Sequence, residues 1–421
     1  MSDHHDRGAR VLLVGHDFVP ERSSGDKNYW LALTAHLGHH VDWLGVASIV
    51  HGGPPHRQFA AGPTTVDLFN IEPVYALTRL LADREPHPPK CAGAFKRQPG
   101  SLTDHPLTLL RHSRRLRRIV RDHDVDVIHF MDNVGLGAGL TRALQRRAAV
   151  TMTYLGFYTV NRWRAAYLSG CARLASGLVV GNQHIGSALH DRVSESERTR
   201  VIPWGSRTMA SADSADRERA RRSLVHHHRL SGDRLILWSG HTQQFGEAEL
   251  HQAMAAAVQV TEAAPGVEAV FLLKPECEPE KFTHLSTERI RVCSSADAPP
   301  FPDHLLGADV LLAPVARTNT IVTPPLTWIE AMQAGTPVVS TAAPGVAEAL
   351  GPLQADLIAP VSEQPVALAE ILAKTLDGSH GPSRPALEAW ARDRFDLERG
   401  AAAYAEFWAT MGPDHTRSSG A

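Results

Sequence analysis

Among the residues of this chain able to do chemistry, Glu330 stands in an uncommon setting. It is the only charged residue in PPLTWIEAMQAGTPVV, positions 324–339. Thr323 is a suitable helix cap, and Pro324 suits the first helical position, where a missing N–H costs nothing. Gly335 predicts the end of that helix, and Thr336-Pro337 the start of an extended run through Val338, Val339 and Ser340. Side chains on a helix lean toward its N-terminus, which puts Glu330 on the side of Leu326 and Thr327. The amides of a helix start attract an anion, whereas a carboxylate accepts hydrogen bonds from hydroxyls. Together they suit a ligand that carries phosphates and hydroxyls side by side.

A second group of candidates follows the first apolar run. Arg10 to Gly15 reads as a buried strand, and the loop after it, HDFVPERSSGDKN, is small and polar. Gly25 there lets backbone approach a phosphate closely, or is an ordinary turn glycine. His16, Asp17 and Asp26 in the same loop either orient an acceptor, with His16 and Asp26 as the catalytic candidates, or cap the loop. Metal chemistry is not expected. The 24 histidines include His39-His40 and His226-His227-His228, but these lie in polar stretches without a ligand pair at i, i+4. The four cysteines, Cys91, Cys171, Cys277 and Cys293, show no metal or disulfide spacing.

The elements that must position these residues repeat a strand–helix alternation. At 421 residues the chain exceeds one typical core, so two domains are expected. Strands are predicted at Val41–Val46, Val125–Phe130, Ala149–Tyr154 and Leu178–Gly181, with the half closing at Arg200–Pro203. Region 51–105, rich in Pro and His, reads as long connections with one short helix near 74–82. A polar linker at 211–216 restarts the pattern: strands at Leu235–Gly240, Ala269–Leu273, Ile290–Cys293, Val310–Ala313 and Val338–Ser340, separated by helices. The tail at 385–411 reads as a helix pair anchored by Phe395, Tyr404, Phe407 and Trp408. This is an α/β chain of two doubly wound parallel sheets, whose ligands bind beyond the carboxyl ends of the strands in the cleft between the halves. A net charge of −2 gives no electrostatic case for nucleic acid. No run is long enough to span a bilayer and the first residues carry no apolar signal core, so a cytoplasmic location is expected.

At this level of detail the chain resembles the GT-B retaining glycosyltransferases, family 4 above all. The residues that carry the likeness are ADVLLAP at 308–314, EAMQAGTPVVST at 330–341, Gly345 and Glu348, with LGHHV at 37–41, DVDVIHF at 124–130, TYLG at 153–156 and RVIPWG at 200–205. The resemblance covers roughly 10–350. It implies two Rossmann-like domains facing a cleft: 1–205 on the acceptor side and 206–385 holding a nucleotide sugar. Helices at 386–412 would cross back to the first domain, and 413–421 would be a disordered tail. It also implies that Glu330 holds ribose hydroxyls, that the Leu326 and Thr327 amides face the diphosphate, and that a strand edge at Val292 and Cys293 meets the base. Gly240 and His241 stand where the family has its "GRL" turn; Tyr154 and Leu155 stand in the acceptor-side TYHG-type motif. Front-face attack, with the leaving phosphate taking the acceptor proton, is the usual explanation of retention, so no protein nucleophile is required.

The departures from the family pattern are as informative. Val322 replaces the glutamate expected eight residues before Glu330, Pro325 a glycine, Leu155 a histidine and His241 an arginine, and HTQQFGE at 241–247 lacks the family lysine. Lys274 and Arg317 are then the nearest cations for a diphosphate, with a surface role as the alternative for Lys274. The expected activity is transfer of a sugar from a UDP- or GDP-sugar to a small-molecule acceptor, with retention, in natural-product biosynthesis. Two alternatives remain: a transferase of glycans or lipids at a membrane surface, docking through the basic run 111–121, and a sugar-nucleotide binder without catalysis. The basic run also reads as a solvated helix face, and the oligomeric state is not written in any motif.

Overall fold

The computed structural model describes residues 8–16, 25–49, 54–71, 106–131, 144–154, 157–158, 172–193, 198–206, 212–242, 246–274, 278–316, 320–321, 323–361 and 365–411. The chain divides into two units, one formed by Met1–Gly205 with Leu397–Ala421, the other by Ser206–Asp396.

The first unit is built on β1 (Arg10–His16), β2 (Trp43–Ile49), β3 (His56–Ala61), β4 (Thr64–Asn70), β5 (Val127–Phe130), β6 (Ala149–Tyr154), β7 (Gly177–Val180) and β8 (Thr199–Val201), in the spatial order β3-β4-β2-β1-β5-β6-β7-β8. All neighbours are parallel except β3 and β4. The central strands read as unbroken apolar runs because helices cover both faces, as parallel sheets require. The β3–β4 hairpin corrects the expectation of long connections over 51–105: TTVDLFN packs every second side chain inward, and Gly62 takes the left-handed turn at φ 59°. The helix expected at 74–82 lies outside the described residues.

Helices of this unit are α1 (Gly25–Leu37), α2 (Pro106–Asp122) and α3 (Gln183–Val193). Along α2, His112, Ser113, Leu116, Ile119 and Val120 face the interior, while Arg114, Arg117, Arg118 and Arg121 share the exposed side. No helix among the described residues is long and apolar enough to cross a membrane.

The second unit holds α4 (Ser214–His228), β9 (Arg234–Gly240), α5 (Gly246–Ala263), β10 (Val267–Leu273), β11 (Ile290–Ser294), α6 (Phe301–Gly307), β12 (Val310–Leu312), α7 (Leu326–Gln333), β13 (Val338–Thr341), α8 (Val346–Leu350), β14 (Ile358–Ala359), α9 (Val366–Leu376) and α10 (Arg384–Arg394). Its strands lie in the order β11-β10-β9-β12-β13-β14, all parallel. Asp213 opens α4 with a capping box: the Asp216 amide donates to Asp213 at 2.8 Å, and the Asp213 amide to Asp216 at 3.2 Å.

The last helix, α11 (Leu397–Ala409), packs into the first unit. His36 and His40 both hold Glu398, at 2.7 and 2.8 Å. Deeper in, the fully buried His129 meets Thr151 at 2.8 Å through Nδ1 and Thr153 at 2.7 Å through Nε2. The Trp408 indole N–H donates to Nδ1 at 3.4 Å, which makes Nδ1 an acceptor and Nε2 the protonated nitrogen. The Tyr404 hydroxyl, 3.1 Å from Thr153, closes the cluster. Both tail helices were expected to cross back; only α11 does. Helix α10 stays in the second unit, where its Glu388 binds Arg217 at 3.2 Å and its Arg384 carbonyl borders Gly335.

Candidate functional site

In the second unit every parallel strand ends on the same side of the sheet, and Gly240, His241 and Lys274 lie along that edge. Gly240 ends β9, and its carbonyl accepts the Lys274 amide at 3.2 Å just beyond β10. The Ser295 amide, past β11, donates to Leu273 at 2.8 Å. After β12 the chain is pinned to β13: Thr341 Oγ1 accepts the Val315 amide at 2.8 Å, and Ser340 donates to the Ala313 carbonyl at 2.7 Å.

Helix α7 starts at Leu326, two residues later than Pro324 predicts, because Pro325 takes the cap position with extended backbone. The Trp328 and Ile329 amides both donate to the Pro325 carbonyl, at 2.9 and 3.2 Å, so the amides of Leu326 and Thr327 precede the first helical hydrogen bond. Pro325 itself has no N–H to offer. At the other end Gly335, at φ 69°, donates to Met332 at 2.9 Å while Thr336 donates to Ala331 at 2.8 Å. This is the paired closure that a glycine after a helix permits. A Cβ at Gly335 would also stand 2.9 Å from the Arg384 carbonyl.

Glu330, one turn into α7, is partly buried and accepts a hydrogen bond from the Ser206 hydroxyl at 3.1 Å. Burial pushes its carboxyl above the ordinary range, and the Ser206 bond pulls the other way. A carboxylate has about four lone-pair positions. Among the described residues Ser206 fills one, and the remainder can accept hydroxyls.

A family model described as Glycosyltransferase Family 4 matches residues 35–208, and one described as Glycosyl transferases group 1 matches residues 233–377. The chain is a GT-B glycosyltransferase, similar to family 4. No curated protein matches it in sequence. Among solved structures, HepE of Anabaena in complex with UDP and glucose has a TM-score of 0.64 at 15% identity, over 96% of this chain and 100% of that one. Sucrose-phosphate synthase of Thermosynechococcus elongatus gives 0.63 at 16%, over 98% of each chain. The catalytic domain of Arabidopsis thaliana starch synthase IV, bound to ADP and acarbose, gives 0.68 at 12%, over 96% of this chain and 99% of that one.

In this glycosyltransferase several expected site residues have other duties. Gly240 is required by packing: a Cβ there would meet the Trp238 ring at 2.8 Å. Val292 is buried in the core, and its amide is taken by Ser286 at 3.0 Å. Cys293 turns its thiol inward, 3.9 Å from Nδ1 of His228. His228, from the polar run 226–228, pairs with His304. Both are buried, with their Nε2 atoms 3.0 Å apart. The Pro300 carbonyl 3.3 Å from His304 Nδ1 makes that nitrogen the donor, so His228 donates to His304 and faces Cys293 with a lone pair. Burial and the neighbouring histidine drop His228 to about 4.

His241 and Lys274 are exposed at the strand ends. Gly246, which sequence reasoning passed over, opens α5 against the His241 carbonyl, and any Cβ there would collide with it. In the first unit His16 ends β1, Gly25 and Asp26 open α1, and Tyr154 ends β6 as a buried side chain. Asp17, Leu155 and Arg317 lie outside the described residues. Ser206 also went unnoticed. It carries no motif, and 124 positions separate it from Glu330.

Proposed function

We propose that this glycosyltransferase draws its sugar from a nucleoside diphosphate donor held at the α7 end of the second unit, and passes it to a small-molecule acceptor in natural-product biosynthesis. The observation that carries the reading is Glu330. It is a partly buried carboxylate with lone pairs to spare, one turn from the amides of Leu326 and Thr327. Ribose hydroxyls fill the spare lone pairs, and the diphosphate lies on the amides. As the sugar leaves, negative charge grows on that diphosphate, and fixed N–H dipoles stabilise it without reorganising. The acceptor oxygen attacks the anomeric carbon from the face on which the bond to phosphate breaks, and the departing phosphate takes the acceptor proton, so the configuration at that carbon is retained. UDP in the HepE complex supports this class of donor.

Calorimetry with UDP, GDP, dTDP and ADP tests the reading: a single clear binder is expected, and no binding by any of the four overturns it. The coupling constant of the product's anomeric proton tests retention. A second reading, a binder without turnover, is favoured by Pro325 at the cap of α7, where a residue with an amide would add a third donor. It predicts nucleotide binding with no donor hydrolysis and no transfer.

A further inference from the structure

Ser206 is 3% exposed and is the first residue of the second unit after the chain leaves the first. It has one hydroxyl proton, which it directs to Oε1 of Glu330 at 3.1 Å. A partly buried carboxylate on a two-bond stem keeps several rotamers open unless a fixed donor selects one. Here the donor is Ser206, itself almost wholly buried within the same unit. Three arginines near α7 are engaged with groups other than Glu330. Arg217 binds the Ala334 carbonyl and Glu388, Arg392 binds Glu388 at 2.9 Å, and Arg384 binds the Ala308 carbonyl at 2.8 Å.

We propose that Ser206 is a positioning residue for donor recognition: by holding Oε1, it aims the free lone pairs of Glu330 at the ribose diol. The inference rests on the donor reading above. Ser206 stays bonded to Oε1 when the nucleotide arrives, and the diol takes the remaining positions. The preference for ribose hydroxyls is then set by two residues from distant parts of the chain.

The test compares the tightest of the ribonucleotides UDP, GDP and ADP with its 2′,3′-dideoxy form, binding each to the unaltered protein, Ser206→Ala, Glu330→Ala and the double variant. Removing a hydroxyl from a tightly packed site leaves no steric obstacle to folding, and circular dichroism checks this. Ser206→Ala is expected to weaken the hydroxyl-bearing nucleotide roughly fivefold, about one hydrogen bond, and to leave the dideoxy form unchanged. In the Glu330→Ala background it should have no further effect, because its action passes through that carboxylate. An equal loss for both nucleotides, no loss at all, or a loss that persists without Glu330 overturns the proposal. If instead Glu330→Ala leaves discrimination intact, the donor reading itself fails.

Discussion

His129 in the first unit and Glu330 in the second are both titratable side chains withdrawn from water, and they are treated differently. His129 is wholly buried and bonded at each nitrogen, with Thr151, Thr153 and Trp408 around it. Burial holds it neutral, down to about 3. Glu330 has Ser206 alone among the described residues, and its carboxyl is pushed up rather than satisfied. A buried polar group whose bonding capacity is filled ties elements together, whereas one with capacity left over is waiting for a ligand or is a burden on the fold. The distinction lies in unfilled valence rather than in burial or residue type.

The largest effect that could break this comparison is on the tying cluster. Trp408→Ala should destabilise the first unit by about 3–5 kcal/mol, since it removes a fully buried indole and a hydrogen bond. Hydrogen exchange should show faster opening confined to that unit. Equal loosening of residues 206–396 would sink the picture of α11 as a clasp of the first sheet.

Glu330→Ala should behave in the opposite way. Nucleotide affinity falls by about 3 kcal/mol, two charge-assisted hydrogen bonds, while the melting temperature holds or rises because a partly buried charge has been removed. A lower melting temperature with normal affinity would make Glu330 a structural residue like His129.

Gly335→Ala sharpens the comparison within α7. Its left-handed backbone and the nearby Arg384 carbonyl predict a loss of about 2 kcal/mol in urea denaturation of the second unit. A neutral result would mean that the helix end relaxes freely.

The smallest effect is a slope with pH. His129 binds a proton below about 6.5 when unfolded but only near 3 when folded, so its contribution is complete above pH 6.5 and lost as pH falls. Its share of the loss should be about 1.4 kcal/mol per pH unit on the way down. His129→Gln should be less stable at pH 7, and its deficit should shrink toward pH 4 in denaturant titrations. A deficit independent of pH would show that the ring matters only for packing.

Much of the fold was legible in the chain because parallel strands buried on both faces leave unbroken apolar runs. Arg10–Gly15, Leu235–Gly240 and Val338–Ser340 fall within a residue or so of the observed strands. The β3–β4 hairpin was obscured by the histidines and prolines around it, and by a strand half exposed along its length. In the candidate site Gly335 could be read from local conformational rules, and the Leu326 and Thr327 amides from the position of a helix start. The start itself was misplaced because two consecutive prolines both suit the first turn. The contacts of Cys293 with His228 and of Val292 with Ser286 could not be read from the chain, because no local pattern brings those residues together. Ser206 was hidden for the same reason: its partner is set by topology, not by spacing.

The discontinuity of the first unit has a consequence during synthesis. Residues 206–396 form one uninterrupted unit and leave the ribosome before α11 does. The earlier unit therefore remains without its closing helix while the whole of the later one is synthesised, so it is the later unit that is completed first. Through that interval the Trp30 and His129 side of the first sheet lacks the aromatic cover that Tyr404 and Trp408 later supply. The nascent chain thus carries an exposed apolar face for the time needed to translate nearly half its length, and any chaperone requirement of this enzyme would concentrate there.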